Sequence, residues 1–377
     1  MNHTLKIAVD CRDLRIAKTG SKTYLSEILS SLKRTKRDNF ILIELSPKNI
    51  FPISNNKFLK LLSHLQFIFW KQIQLPFLCF IRKCDILICT DYFLPSFNGR
   101  TKNIVVFHDA FFWEYPHHYN RLWLKMFQIW AVAAAKRAYR ILAPSKYVKF
   151  KLIHYLNVDD DKVCVVYEAP KSINNIDSVN PVLTFKKSSP YLLHVGSLIK
   201  HKNLLFLIRS FGNILKTTNI NCCLYLVGGS SNSKLDDETE QIKSLILNEG
   251  LNENIILKGY VDDEELTSYY KNASGYIFPS YNEGFGLPIL EAMKFRLPIA
   301  ASNNTCLPEI AKNAAIYFDP YNLLELELAI KKIISIDQDV LDSLSFQSSV
   351  LAEYSWDKAA LEIYSICYDA LGYSDFK

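Results

Sequence analysis

The feature that most restricts this chain is an alternation. Short apolar runs bounded by polar residues, at 7–10, 40–45, 86–90, 104–108, 140–143 and 163–167, are separated by longer amphipathic stretches such as 24–34 and 122–139. That pattern points to a mainly parallel sheet covered by helices. It breaks once, at 171–189, which is polar, rich in Asn and Ser, and contains Pro181. It then restarts, with strand-like runs at 191–195, 222–227, 255–258, 275–278, 299–301 and 315–318 and helical runs at 204–215, 238–248, 263–271 and 287–294. The expected fold class is α/β: two Rossmann-like domains facing each other across a cleft, at 1–172 and 190–355, joined by a linker at 173–189. A closing helix, about 356–377, is expected to pack back on the first domain. Ser355 would cap it and Asp357 would sit in its first turn. Open parallel sheets bind ligands beyond the carboxyl ends of their strands, so two such edges can hold two substrates together.

Composition agrees with a soluble globular protein of two domains: 377 residues, 49% hydrophobic, 22% charged. Nine scattered cysteines without a C-x-x-C pair speak against a zinc or thioredoxin-like site and for free thiols in a reducing compartment. Residues 5–9 read as a first strand and not as a cleavable signal, so a cytoplasmic location is expected. The net charge of +6 is uneven. Residues 1–180 hold 27 Lys and Arg against 14 Asp and Glu, a balance of +13, and residues 181–377 hold 17 against 24, a balance of −7. A basic first half suits an anionic acceptor or peripheral contact with anionic lipid headgroups, or merely solvates a surface. No helix-turn-helix, zinc-finger or RNP-type motif supports a nucleic-acid partner. The apolar stretch 58–83 is broken by Lys60, His64, Lys71, Gln72, Gln74 and Pro76. It lacks the ~20 apolar residues of a spanning helix, which leaves a buried helix pair or an interfacial segment.

The most informative stretch runs from Phe278 through Glu283, Gly284, Phe285, Gly286, Leu287 and Pro288 to Glu291. A strand end, a glycine loop and a helix with proline in its first turn open backbone N–H groups at a helix N-terminus, which suits a diphosphate. Glu291, about one turn into the helix, can accept two hydrogen bonds from a ribose diol. Glu283 lies near where a sugar would project. A second strand, glycine turn and helix start occurs at His194-Val-Gly196-Ser197, followed by His201, Lys202 and Asn203. In the first half, Asp10 and Arg12 precede a loop with Gly20 and Tyr24, His108 and Asp109 close a strand, and Ser145 follows another.

These motifs resemble the retaining GT-B glycosyltransferases of family 4, over nearly the whole chain, and the mannosyl- and rhamnosyltransferases of bacterial surface polysaccharides in particular. Further matches are Leu307-Pro-Glu309, Phe318-Asp-Pro320, and Gly259-Tyr-Val261 followed by Asp-Asp-Glu-Glu-Leu266. The resemblance implies that Glu291 holds the ribose, Glu283 contacts the donor sugar, and Lys202 clamps the diphosphate, with Gly196, Ser197, His201, 284–287 and backbone near Val261 completing the donor site. It implies that His108 approaches the sugar, and that Gly20, Asp109 and Ser145 line the acceptor side. Ser145 could equally cap the next helix. Ser197 and His201 stand where arginines are common in the family, so Lys200 or His201 is left to supply the second positive contact. Glu168 replaces part of a common Asn-Gly and receives no role.

The implied reaction is transfer of a hexose with retention from a nucleotide sugar, GDP-mannose first and UDP-sugars or dTDP-rhamnose next, to a lipid-linked saccharide. No cofactor beyond the donor is expected. The Asp-x-Asp triplets at 159–161 and 337–339 do not follow a strand, so no essential metal is expected. A sugar-nucleotide epimerase, a phosphorylase or an idle nucleotide-sugar-binding subunit could use the same architecture. A phosphorylase would need a pyridoxal-binding lysine that no motif here suggests.

Overall fold

The computed structural model describes residues 4–16, 20–35, 39–50, 57–172, 190–230 and 236–372. Thr19 of the glycine loop and the expected linker, 173–189, lie outside them. The chain divides into two compact units, 1–168 with 355–377, and 169–354.

The first unit is built on a six-stranded parallel sheet of β1 (Leu5–Asp10), β2 (Phe40–Leu45), β3 (Ile86–Cys89), β4 (Lys102–Val106), β5 (Arg140–Ala143) and β6 (Val163–Val165). Their order is β2-β1-β3-β4-β5-β6. Central strands are covered on both faces, which is why β3 is an unbroken apolar run, Ile-Leu-Ile-Cys, with every residue buried. The outer strand β2 shows its exposure in a mixed pattern, with Ile41 and Glu44 open to solvent. The helices are α1 (Gly20–Arg34), α2 (Lys57–Phe69), α3 (Leu75–Arg82), α4 (Arg121–Arg137) and α5 (Lys146–Leu156). Asn120 starts α4 by accepting from the backbone N–H groups of Leu122 and Trp123, and Ser145 starts α5 by accepting from Val148 N–H. β4 stops at Val106, short of the expected 108. Phe107 N–H still donates to the Leu142 carbonyl of β5 at 2.9 Å, and His108 then turns to the Thr90 carbonyl. The stretch 58–83 is neither a buried pair nor wholly exposed. A π turn, Trp70–Gln74, joins α2 to α3; Trp70, Lys71, Leu75 and Cys79 point inward, while Phe69, Ile73, Phe77 and Phe80 point out.

The second unit repeats the plan with β7 (Tyr191–Val195), β8 (Cys223–Val227), β9 (Ile255–Gly259), β10 (Gly275–Phe278), β11 (Ile299–Ser302) and β12 (Ile316–Phe318). The order is β12-β11-β10-β7-β8-β9. Around it lie α6 (Leu204–Thr217), α7 (Thr239–Asn248), α8 (Asp263–Asn272), α9 (Leu287–Lys294), α10 (Leu323–Ser335) and α11 (Gln338–Leu351). Phe211, Ile277, Leu326 and Ile330 are among the side chains that fill its core, each worth roughly 1.5–3 kcal/mol of transfer from water. Asp337 of the second Asp-x-Asp triplet caps α11, and Asp339 pairs with Lys332. In the first triplet, Asp160 pairs with Lys149 in a single turn before β6.

The chain ends in α12 (Trp356–Ala370), which belongs to the first unit. Ser355 caps it through Asp357 N–H. Asp357 accepts from Ser31 Oγ at 2.8 Å and pairs with Arg34, both on α1, and Tyr364 donates to the Leu32 carbonyl at 2.6 Å.

In both sheets the winding reverses beside the first strand. The chain leaves β1 on one side for β2 and returns on the other side to β3; likewise β7 has β8 on one side and β10 on the other. Such switch points open a crevice beyond the strands' carboxyl ends. The residues there are Asp10–Arg12 and Thr90–Asp91 in the first unit, and 196–203 and 279–286 in the second.

Candidate functional site

In the second unit, β7 and β10 are hydrogen-bonded neighbours, so the loops that leave them run side by side. The Tyr281 N–H donates to the His201 carbonyl at 2.8 Å and ties them together. Lys202 ends a single helical turn, and Asn203 follows in the left-handed region at φ 58°. The Asn203 amide donates to the Pro320 carbonyl at 3.0 Å and fixes that bend. Lys202 Nζ then reaches Glu283 Oε1 at 2.6 Å, with both side chains mostly buried. The same ammonium lies 5.4 Å from the Phe278 ring centroid.

Backbone geometry dictates two glycines, one by close approach and one by a left-handed φ. A Cβ on Gly228 (φ 149°) would lie 1.9 Å from the Gly196 carbonyl oxygen, so the turn after β8 can touch the turn after β7 only without a side chain. Gly286, at φ 92°, begins α9, and a Cβ there would meet Leu307 at 2.9 Å. With Pro288 in the first turn, the helix sets the partial positive charge of its N-terminus next to the Lys202–Glu283 pair. Phe285 does not contribute its ring: it is buried and packs edge-on against Tyr354, so only its backbone faces the loop.

Glu291 lies on α9 and accepts from the Tyr270 hydroxyl at 2.9 Å. Burial pushes its pKa up, partly offset by Tyr270, Lys294 and Lys171. Beside it opens a pocket of about 300 Å³ walled by Lys171, Asp263, Leu266, Thr267, Tyr270 and Glu291. An ion pair between Lys171 and Asp263 spans its rim. Val261 is half-buried just before α8. His194 is fully buried behind Gly196. Its Nδ1 donates to the Ile277 carbonyl at 3.0 Å, Nε2 has no hydrogen-bond partner among the described residues, and burial depresses its pKa to about 4.

In the first unit, His108 Nε2 faces the Thr90 carbonyl at 3.2 Å and Nδ1 faces Glu168 Oε1 at 3.4 Å. The Thr90 carbonyl can only accept, so Nε2 carries the proton that points to it, and the Glu168 carboxylate beside Nδ1 favours the charged ring. Burial works to lower its pKa, but Glu168 and Asp109 outweigh it and the net shift is upward. Asp109 accepts from Phe111 N–H at 3.0 Å and is pushed up by burial. Ser145 is fully buried, and its hydroxyl accepts from Val148 N–H at the start of α5. Gly20 is the exposed first residue of α1.

Sequence reasoning missed a charge cluster at the β1/β3 switch point. Lys71, 1% exposed, places Nζ 2.6 Å from both Asp10 Oδ2 and Asp91 Oδ1. Asp10 Oδ1 also accepts from Trp70 Nε1 at 3.0 Å and Arg12 N–H at 3.1 Å. Burial raises Asp91 to about 7 against the pull of Lys71. The one available signal was a lysine in an otherwise apolar stretch. Nothing local marks its partners, 61 residues before it and 20 after it.

Two family models match the chain in tandem: "Glycosyltransferase Family 4" over 33–169 and "Glycosyl transferases group 1" over 175–343. The O-antigen chain mannosyltransferase RfbU of Salmonella typhimurium is 28% identical over 72% of this chain and 70% of its own length. The O-antigen chain mannosyltransferase B of Escherichia coli is 28% identical over 61% of this chain and 60% of its own. Among solved structures, the sucrose-phosphate synthase of Thermosynechococcus elongatus superposes with a TM-score of 0.77 at 16% identity, covering 98% of this chain and all of that one. At that identity the likeness is one of fold. The tandem family matches, with two Rossmann-like units that each carry the expected loops, mean that this chain belongs to the family 4 glycosyltransferases and has their GT-B fold.

Proposed function

We propose that this glycosyltransferase moves mannose from GDP-mannose, with retention of configuration, onto a lipid-linked saccharide in the assembly of an O-antigen or similar bacterial surface polysaccharide. The work is done at the cytoplasmic face of the membrane. The relatives named above as O-antigen mannosyltransferases support the sugar and the product class. The observation that carries the donor site is the Lys202–Glu283 pair at the N-terminus of α9, with Glu291 one turn further on beside an open pocket.

The chemistry follows from that arrangement. As the bond from the anomeric carbon to the diphosphate breaks, negative charge builds on the departing oxygen. Lys202 and the positive end of α9 meet that charge without rearranging, which is where fixed charges act best. Glu283 holds the Lys202 ammonium in place and turns toward the sugar. The acceptor hydroxyl attacks on the face the phosphate leaves and gives that phosphate its proton, so the enzyme needs no carboxylate nucleophile. A lysine in the neutralising role also removes the need for a metal or any cofactor beyond the donor. Glu291 accepts the ribose diol, and the pocket beside it takes the base.

A thermal-shift screen of GDP, GDP-mannose, UDP, UDP-sugars, dTDP and dTDP-rhamnose tests this reading, since a ligand specific for the folded state raises the melting temperature. GDP and GDP-mannose should give the largest shifts. Glu291→Ala should abolish them, and Lys202→Met should abolish the GDP shift while sparing that of guanosine. Larger shifts with UDP or dTDP would move the assignment to a UDP-sugar or rhamnosyl donor. Donor binding without transfer to any lipid-linked saccharide would leave an idle binding subunit.

A further inference from the structure

A soluble protein has no reason to leave large apolar side chains in a row on its surface, and the first unit does so on two neighbouring helical segments. Along α2, the π turn and α3, Leu61, Leu65, Phe69, Ile73, Phe77 and Phe80 are all exposed, Phe77 by 60% and Phe80 by 78%. Steps of four residues drift about 40° each around a regular helix. The wider i→i+5 ring of the π turn reverses part of that drift. Trp70 and Lys71, anchored inward to Asp10, set the direction, so the stripe runs along the outer face from end to end. On α4 the inward face is Leu124, Phe127, Ala131, Ala134 and Ala135, yet the outward face is apolar too: Leu122, Met126, Ile129 and Trp130 are exposed. A helix with large apolar side chains on its outward face as well as its inward one is normally covered on both.

The two stripes adjoin. Ile68 and Gln72 form one wall of a groove of about 190 Å³, and Trp130, Ala133 and Arg137 form the other. Phe93 bridges the groove, 5.7 Å from the Phe67 ring and 6.4 Å from that of Trp130.

The charges carried by these two segments are all of one sign. The sequence has no Asp or Glu from Lys57 to Lys83, and none from Arg121 to Asn157, where it has five and eight Lys and Arg respectively. Arg82, Lys83, Arg121, Lys125, Lys136 and Arg137 are exposed and have no carboxylate partner among the described residues. A second copy of the same face would bring these cations against each other. An acidic protein partner would leave the aromatic stripe in contact with charge. An anionic bilayer answers both features: apolar side chains enter the acyl boundary while lysines and arginines at the helix ends stay among the phosphates. No helix of the described residues is long and apolar enough to cross a membrane.

We propose that the outer faces of α2–α3 and α4 form a single monotopic docking surface for a bilayer of anionic phospholipid. This deepens the acceptor half of the function proposed above, since a lipid-borne acceptor is met at a bilayer, but it rests on different residues from the donor site.

The test is flotation of the full chain with vesicles of phosphatidylglycerol and phosphatidylcholine, beside phosphatidylcholine alone, at low and high salt. The wild type should float with the anionic vesicles and weaken as salt rises. Ile73→Glu with Phe77→Glu, and separately Met126→Glu with Ile129→Glu, should each lower the partition coefficient roughly tenfold or more. The GDP-induced thermal shift should stay unchanged in both, which separates loss of docking from loss of the donor site. Arg121→Gln with Lys125→Gln, at exposed positions clear of the core, should lower flotation without altering the melt. In the wild type, brominated lipids should quench Trp123 and Trp130. Absence of flotation at low salt, or equal flotation by the glutamate variants, overturns the proposal. A wild-type dimer that these substitutions dissolve, with no vesicle binding, would assign the face to a second copy instead.

Discussion

At the scale of single residues, the second unit's site is a set of side chains held by backbone geometry. Lys202 reaches Glu283 because Asn203 adopts a left-handed turn and Gly228 allows a backbone contact that any other residue would block. His194 supports that floor from below, and its protonation state is a measurable property of the fold. In the unfolded chain the imidazole takes its proton near 6.5; in the fold it does so only near 4. Between those values the unfolded chain binds more protons, so stability rises with pH, is complete above 6.5, and is lost as pH falls through that value toward 4. Wild type and His194→Gln, compared by urea unfolding, should differ by a constant amount above pH 6.5. On going to pH 4 the wild type should lose about 3 kcal/mol more than the variant. An unchanged difference would mean that His194 takes up its proton in the folded state. Glu283 and Glu291 could be singled out in sequence because the loop and helix that carry them are contiguous, whereas Lys202, 81 residues before Glu283, meets it only in the fold. The contacts of Glu168 and Asp91 were not legible, because each meets a residue of a distant element: His108 beyond β4, and Lys71 in the π turn.

At the scale of elements, the strands were legible because a buried parallel strand must be a short apolar run, and the helices because their caps are local. Ser145, Asp262, Asn322, Asp337 and Ser355 each accept from a backbone N–H two or three residues on. The π turn was not legible. Nothing in Trp70–Gln74 prescribes an i→i+5 ring; the turn lies where Trp70 and Lys71 reach the end of β1. Lys71 holds two carboxylates in a site it almost closes to water. Lys71→Met should therefore destabilise the first unit by about 3–5 kcal/mol in denaturant unfolding, because two carboxylates lose their counter-ion. Adding Asp10→Asn and Asp91→Asn should recover most of the loss. A single variant as stable as the wild type would show that water solvates the cluster.

At the scale of the whole molecule, the last helix crosses back to the first unit. Trp356 packs against Tyr24 with ring centroids 5.7 Å apart, and Tyr364 against Phe40 at 4.5 Å. Trp356 and Tyr364 are almost completely buried, so the sheet of the first unit is complete only when residues more than 300 positions away return to it. Trp356→Ala should cost about 3–5 kcal/mol, and hydrogen exchange should speed up first in α1 and in β1 and β2. Exchange unchanged there would mean that the first unit does not depend on the helix.

The sequence by itself determined the alternation, the two sheets, the helix starts and the glycine loops with their glutamates, since each rests on contacts within a few residues or on a hydrophobic period. Only the tertiary structure decided which charges meet. Lys71 with Asp10 and Asp91, His108 with Glu168, Glu291 with Tyr270, and the apolar rows left uncovered on α2–α3 and α4 all depend on which strand ends and helix faces become neighbours. Strand order sets that, through packing between segments far apart in the chain, and no local pattern encodes it.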